Sequence, residues 1–400
     1  MIILGIETSC DETAASVIEV KDSKVTVLSN IISSQIALHA KWGGVVPNLA
    51  AREHLKNILP VIETALEKSK KKPADLNLLA VTNGPGLIPA LLVGTTTAKT
   101  LSYLWKKPLI GIHHIEGHIY ANFISDKINA LQFPILCLVV SGGHTQLVLM
   151  QKHLNYEIIG ETVDDAVGEA FDKVARILGL GYPGGPAVAK IADDYSHNLS
   201  VCPEEVRTDV SLSNPRLLVK HEKQSQNEEI ALLGFLSGKC VSHNLEKEKK
   251  FRITLPRPML KSNNFNFSFS GIKTAVLYAT KKNSENLDDK NYIAEMCQEF
   301  QTAVTDVLVS KTIRAAKKYN PKIILLAGGV SANVYLRKRL ELAVKENLEN
   351  TSCLFPEPPY SLDNAAMIAM AGYFRWKKIK NKKRLAETWQ NLKTNASLKM

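Results

Sequence analysis

Ile2-Ile-Leu-Gly-Ile-Glu-Thr-Ser-Cys-Asp-Glu-Thr-Ala-Ala-Ser-Val-Ile-Glu-Val20 decides the fold. Two apolar or β-branched runs, 2–7 and 14–20, flank the polar turn Thr8–Thr13, which is the pattern of a β-hairpin. Val25–Ser33 continues as a third predicted strand. Outward from there the sequence predicts a helix over 48–69, stopped by a lysine run before Pro73. A strand at 78–82, a Gly-Pro-Gly turn at 83–87, a helix at 90–105 and a strand at 108–112 follow. The pattern then restarts. Ile135–Ser141 and Gln146–Met150 form a second hairpin around Gly142-Gly-His-Thr145, with a predicted helix at 164–178. A long helix at 293–319, a buried strand at 322–326 and a helix at 332–345 come later. Three strands followed by alternating helix and strand, twice over, predict two related α/β lobes with a cleft between them. The expected division is 1–130, completed by a helix at 364–376, and 131–363, with an inserted segment at 195–250 and a basic tail at 377–400.

Composition limits the function classes. A hydrophobic share of 45% and a charged share of 22% are ordinary for a globular protein. No apolar run reaches the length of a membrane span, and the first residues read as a strand with no signal peptide. The six cysteines are scattered, with no Cys-x-x-Cys pair, so a reduced cytoplasmic setting is expected. The net charge of +11 is concentrated at one end: residues 375–400 hold nine Lys or Arg against one acid, Glu387. Such a tail is either a solvated, fraying end or a phosphate-backbone contact. Segment 195–250 balances eight basic against eight acidic residues with little periodicity, and reads as a mostly surface insertion.

Several constellations carry chemistry. In Gly111-Ile-His-His-Ile-Glu-Gly-His118, a spacing of four places His114 and His118 on one helix face, where both can grip one metal ion. A site needs a third ligand. Asp363, between a Pro-rich loop and a small-residue helix, is either that ligand or only the helix N-cap. Three turns at strand ends form a second group. Glu7–Thr13 carries Asp11 and Glu12, Val140–Thr145 lets backbone amides approach a ligand, and Leu326–Asn333 opens a helix where the dipole suits an anion or adenosine. On the helix predicted at 164–178, Asp165, Glu169 and Asp172 form an acidic stripe. A solvated helix face would explain it, but it leads into Tyr182-Pro-Gly-Gly-Pro186, and a carboxylate beside such a turn is well placed to accept from ribose hydroxyls.

In order along the chain, Gly5-Ile-Glu-Thr-Ser-Cys-Asp-Glu-Thr13, Gly43-Gly-Val-Val-Pro47, Gly84-Pro-Gly-Leu87, His113-His-Ile-Glu-Gly-His118, Ser141-Gly-Gly-His-Thr-Gln146, Gly168-Glu-Ala-Phe-Asp-Lys173, Tyr182-Pro-Gly-Gly-Pro186, Phe267-Ser-Phe-Ser-Gly-Ile-Lys-Thr274 and Ala327-Gly-Gly-Val-Ser-Ala-Asn333 closely resemble the motifs of the bacterial-type tRNA N6-adenosine threonylcarbamoyltransferases (TsaD family). The resemblance covers 1–194 and 251–376; the insertion and the lysine-rich tail depart from it. It implies the actin-like bilobal fold shared with sugar kinases and Hsp70-type ATPases. It implies metal ligands at His114, His118 and Asp363 for one divalent ion, iron first, with zinc or manganese as alternatives. Substrate contacts are implied at Val139, Val140, Ser141, Gly142 and Gly143, and at Asp172, Gly185 and Asn333. The implied reaction moves a threonylcarbamoyl group from threonylcarbamoyl-AMP to N6 of adenosine 37 in tRNAs reading ANN codons. Expected partners are a TsaB-type paralogue and a TsaE-type P-loop ATPase.

The chemistry is coherent with that reading. The donor is a mixed anhydride with AMP as leaving group, and the adenine amine is a weak nucleophile that needs positioning and charge stabilisation. Asp11 or Glu12 is the expected group to orient the amine or accept its proton. The alternative, an ATPase or kinase of the same fold, has no need of two histidines and an aspartate, since it works with phosphate-bound magnesium. A zincin protease needs a glutamate directly after the first histidine; here Glu116 stands two residues on, on the far side of the helix. The TsaB-type paralogue lacks the metal histidines.

Overall fold

The computed structural model describes residues 1–22, 24–124, 131–200, 250–380 and 388–400. Its first sheet runs β3-β2-β1-β4-β5, built from β1 (Ile2–Glu7), β2 (Glu12–Lys21), β3 (Lys24–Ser34), β4 (Leu78–Gly84) and β5 (Leu109–His113). β1 and β2 pair antiparallel from Ile2↔Glu19 to Glu7↔Ala14, while β4 joins β1 and β5 joins β4 in parallel. The second sheet repeats the plan. β6 (Ile135–Val140), β7 (Thr145–Lys152) and β8 (Asn155–Glu161) form the antiparallel meander, and β9 (Ile323–Ala327) and β10 (Ser352–Leu354) the parallel pair. Read from the meander edge, both sheets have the same order. The duplicated α/β architecture expected from the two hairpins is therefore present.

Strand periodicity sorts the core into layers. On β1, Leu4 and Ile6 face α2 (Pro47–Ser69) and α3 (Ile88–Trp105), packing with Ile58, Ile62 and Leu101. Ile3, on the opposite face, joins a middle core with α4 (His114–Ala121) and α11 (Ala365–Lys378). That middle core also takes Ile135, Cys137 and Val139 from β6, so it is continuous between the sheets. The alternate β6 residues, Leu136, Leu138 and Val140, face outward to α5 (Val167–Ile177), α6 (Gly184–Ser200), α7 (Ser270–Lys282) and α8 (Lys290–Tyr319). Of the remaining helices, α1 spans Ile36–Ala40, α9 Val334–Asn347, α10 Pro358–Ser361 and α12 Thr388–Asn391. Among the described residues no helix is long and apolar enough to cross a membrane.

Three sequence expectations are corrected. The helix expected from Asp164 starts at Val167, because Asp164 is drawn away to the start of α7. There it accepts hydrogen bonds from Ser268 Oγ, Ser270 Oγ and the Phe269 amide. Asp165 is thus off the helix, and the acidic stripe is not a free face: Lys173 bridges Asp165 and Glu169 at 2.8 and 2.9 Å. The inserted segment was expected from 195, but α6 continues to Ser200; the rest of it, 201–249, lies outside the described residues. The end of the chain is not wholly a fraying one. Its part at 388–400 is laid against the first sheet, with Asn395 N donating to Asn83 O and Gly86 N to Ala396 O.

Candidate active site

The three parallel strands of the first sheet, β1, β4 and β5, end at the site. β5 closes on His113, whose Nδ1 accepts from the Ile115 amide and caps α4; the next residue is His114. One turn on, His118 lies on the same face, and both rings are buried. Asp363 reaches them from the far end of the chain. Its Oδ1 lies 3.6 Å from His114 Nε2 and 3.1 Å from His118 Nε2, and one ligand atom from each residue lies within 4.8 Å of the others. The N-cap alternative for Asp363 is excluded, because Asn364 caps α11 through Met367 N.

Glu7, at the buried end of β1, orients this set. Its carboxylate takes the Ser9 amide and Thr82 Oγ1 at 2.5 Å each, and Oε2 lies 3.2 Å from His114 Nδ1, with Ser9 Oγ at 3.1 Å from the same nitrogen. With Nδ1 engaged, Nε2 is the nitrogen presented to Asp363. This is the carboxylate–histidine arrangement that fixes a metal ligand's tautomer. Glu7→Ala is expected to weaken Zn²⁺ binding about 10–100-fold, and Glu7→Gln by less, since its amide oxygen still accepts; competition with a chromogenic chelator reads the difference. Sequence reasoning assigned Glu7 no role, although an acid ending a fully buried strand was a signal.

The electrostatics fit a cation at the triad. Burial opposes a charged imidazole, yet the Asp363 and Glu7 carboxylates lift His114 to about 9. Burial, with the charges of Asp363 and Asp11, pushes Glu12 up to about 10. Asp363 shows the reverse balance: burial disfavours its charge, but His114 and His118 hold it below the usual carboxylate range. Neither ring nitrogen of His118 makes a hydrogen bond of acceptable geometry among the described residues, though both are buried. Crowded carboxylates beside buried imidazole nitrogens without donors form a donor set suited to a divalent ion.

The second lobe faces this centre with its own strand ends. Val139 and Val140 end β6 and are fully buried, and Ser141 leads into the open turn Gly142-Gly143, where an added Cβ would meet nothing within 4 Å. The turn is held from two sides. A Cβ on Gly168 would lie 2.7 Å from Ser141 O, and one on Gly328, whose φ is +87°, would lie 2.4 Å from Val140 O. Asp172, on α5, accepts from the Gly184 amide at 2.7 Å, and Gly185 beside it is open. Burial raises Asp172, against the Gly184 and Gly185 amides and Arg176. Asn333 caps α9 through Leu336 N and donates to Gln301 Oε1 at 2.8 Å. Across the cleft Asp11 is buried and Glu12 half-buried, the latter accepting from Ser34 Oγ at 3.1 Å. His144, on the glycine turn, was also missed by sequence reasoning; burial, together with the charges of His114 and His118, lowers it to about 4.

The sequence model described as "TsaD: tRNA N6-adenosine threonylcarbamoyltransferase" matches residues 26–231 and 220–370. The tRNA N6-adenosine threonylcarbamoyltransferase of Thermosipho africanus is 43% identical over 394 residues, covering 98% of this chain and all of the relative. That of Bacillus subtilis is 44% identical over 380 residues, covering 94% and 91%. The chain belongs to this family. It is an acyltransferase of the tRNA N6-adenosine threonylcarbamoyltransferase type. Among solved structures, HypF of T. kodakarensis aligns with a TM-score of 0.50 at 13% identity, over 96% of this chain and 49% of that one. Such a likeness shows the fold alone, which is the actin-like bilobal fold.

Membership in the threonylcarbamoyltransferase family agrees with what Glu116 does. Its carboxylate points away from the histidine pair and makes a bidentate pair with Arg375, at 2.5 and 2.9 Å. Glu116 is therefore not placed as a protease base beside the triad. Glu116 is almost fully buried whereas Arg375 is partly exposed. Arg375→Ala leaves that carboxylate without its cation and is expected to lower stability by about 2–3 kcal/mol, below the range for a fully buried pair. The urea midpoint measures it; replacing both partners by Leu and Met should cost less than Arg375→Ala alone.

Proposed function

We propose that this chain moves the threonylcarbamoyl group from threonylcarbamoyl-AMP to N6 of adenosine 37 in tRNAs reading ANN codons, with His114, His118 and Asp363 holding the divalent ion of the reaction. The observation that carries the assignment is the triad of two buried histidines and the half-buried Asp363, with His114 held by Glu7, in a chain of this family. Two imidazoles and one carboxylate leave coordination positions open, and the set favours iron(II), with zinc or manganese as alternatives. When bound, such an ion supplies Lewis-acid polarisation of the carbamoyl group.

The chain's own residues do the rest. Ser141, Gly142 and Gly143, with the ends of β6 at Val139 and Val140, offer backbone to the adenylate at close range. Asp172 beside Gly185 accepts from ribose hydroxyls, and Asn333 borders the adenosine. In the transfer, the adenine N6 bonds to the carbamoyl carbon while the bond from that carbon to the AMP phosphate oxygen breaks. The electron pair leaves with AMP, and the N6 proton passes to Asp11. Glu12 is the lesser acceptor because it is tied to Ser34 across the β2–β3 pair. The target base lies in an anticodon loop, so no duplex need be opened.

Leu55, Leu59 and Leu92 stand exposed on α2 and α3, helices packed on each other, and this apolar face supports docking of a TsaB-type paralogue. A TsaE-type ATPase completes the proposed assembly. Among the described residues Cys10, Cys137, Cys297 and Cys353 are free thiols, which supports a reduced, cytoplasmic setting. The test is transfer of labelled threonine from threonylcarbamoyl-AMP to an ANN-decoding tRNA, with paralogue and ATPase present. Label on adenosine 37 with the wild type and its loss in His114→Ala are expected. No transfer by metal-loaded wild type would overturn the reading in favour of nucleotide hydrolysis.

A further inference from the structure

We propose that the segment 388–400 is a strap that sets the position of the metal-bearing helix α4, and that His113 is the positioning residue through which it acts. The inference rests on the assignment of His114 and His118 as metal ligands. The strap begins with Trp389, whose ring meets Tyr103 of α3 edge-on at 5.3 Å. Beyond it, burial alternates residue by residue. Leu392, Thr394, Ala396, Leu398 and Met400 are half-buried, and Lys393, Asn395, Ser397 and Lys399 are exposed. The stretch 392–395 lies extended on the surface, and a turn closed by Leu398 N donating to Asn395 O at 3.3 Å brings Leu398 back onto it.

The surface is shaped for it. Asn83, at the end of β4, uses both its main chain and its side chain: Asn83 O accepts from Asn395 N at 2.9 Å, and Asn83 Nδ2 donates to Lys393 O at 3.0 Å. Gly86 N donates to Ala396 O at 3.2 Å, and Thr95 Oγ1 meets Thr394 Oγ1 at 2.8 Å. Two glycines make the room. A Cβ on Gly84 would lie 1.9 Å from Asn395 O, and one on Gly111 would lie 2.5 Å from Leu392 Cδ1. Gly84 and Gly111 belong to β4 and β5, the strands that deliver the Gly-Pro-Gly turn and the histidine helix.

The strap then reaches the metal helix. His113 Nδ1 accepts from Ile115 N, so the ring proton is on Nε2, and Nε2 donates to Leu398 O at 2.9 Å. One imidazole therefore caps α4 with one nitrogen and is clamped by the strap with the other. His114 follows it directly and His118 lies one turn further. A shift of the His113 ring moves the first turn of α4, and with it the geometry of both ligands. Groups hydrogen-bonded to a metal ligand typically govern affinity about 10–100-fold; His113 acts through the backbone that carries His114, so the lower end of that range is expected.

The test uses full-length chains and Zn²⁺ as probe. Leu392→Asp/Leu398→Asp undocks the strap by placing carboxylates against Gly111 of β5 and Gly84 of β4. His113→Asn keeps an N-cap acceptor but is too short to reach Leu398 O. Affinity is read by chelator competition, and ligand geometry by the visible spectrum of the Co²⁺ form. Each variant is expected to weaken Zn²⁺ binding about tenfold or more and to alter the Co²⁺ spectrum. Combining them should cost no more than either alone, because both cut one link. Folded variants that bind Zn²⁺ within twofold of wild type, or losses that add, would overturn the proposal. His114→Ala, run alongside, separates the two ideas. If it retains full affinity, the metal assignment itself has failed and the strap proposal goes with it. If it alone loses Zn²⁺, the strap proposal fails and the metal assignment stands.

Discussion

Asp363→Ala is expected to lose threonylcarbamoyl transfer about a thousandfold or more, because a metal's polarisation of the reacting group is worth several kcal/mol and about 4 kcal/mol corresponds to that factor. The carboxylate is the one member of the triad from outside α4, and without it two histidines a turn apart are a weak pair. The same change is expected to lower stability by about 1–3 kcal/mol, because Asp363 does not cap α11 but its carboxylate balances the buried His114 and His118 at 3.6 and 3.1 Å. Removing it also leaves Glu12 with one less negative neighbour. Single-turnover transfer, bound-metal content and a melting curve on one preparation check all three. A folded Asp363→Ala chain with normal metal content and normal transfer would end the case for this triad. Asp363→Asn, which keeps an oxygen donor without its charge, belongs between the two.

How far the sequence could be read depended on where each signal was local. The buried parallel strands β4 and β9 are nearly continuous apolar runs, and α3 and α8 are long, so their existence was plain from composition and length. β8 was missed: of its seven residues in Asn155–Glu161 four are exposed, two half-buried and one buried, without clean alternation, as befits an edge strand. The start of α5 was misplaced because the partners of Asp164 are Ser268–Ser270, more than a hundred residues away. At the site, the spacing of His114 and His118 announced a shared face. The sequence could not decide between cap and ligand for Asp363, since either suits an aspartate before a helix. Only the Asn364–Met367 bond separates them. Glu7 escaped for a similar reason: its meaning lies in Thr82 and His114, which are brought to it by other strands.

Gly5→Val is expected to destabilise the fold by about 4 kcal/mol or more, an exceptional loss for one substitution and a sign of backbone collision rather than of a filled gap. An added Cβ at Gly5 would stand 2.1 Å from Ala365 O and 2.9 Å from Ala369 N, both main-chain atoms of α11 that no rotamer change can move. α11 lies this close to the sheet because its inner face is small: Ala365, Ala366, Ala369, Ala371 and Gly372 are buried, and Gly372 would itself collide with Ala80. The close approach also serves the chemistry. α11 starts two residues after Asp363, so the distance between helix and sheet sets how far that carboxylate stands from His114. A valine at position 5 would therefore be felt twice, as a lower urea midpoint and as weaker Zn²⁺ binding in whatever fraction still folds. Gly372→Ala makes the control. It crowds the same helix two turns further from Asp363 and against one close neighbour, a methyl group rather than main chain, the Cβ of Ala80 at 2.7 Å. It should lower stability by about 1–3 kcal/mol with a smaller effect on Zn²⁺ affinity. Equal losses of metal affinity in the two variants would show that helix position at its start does not govern the site.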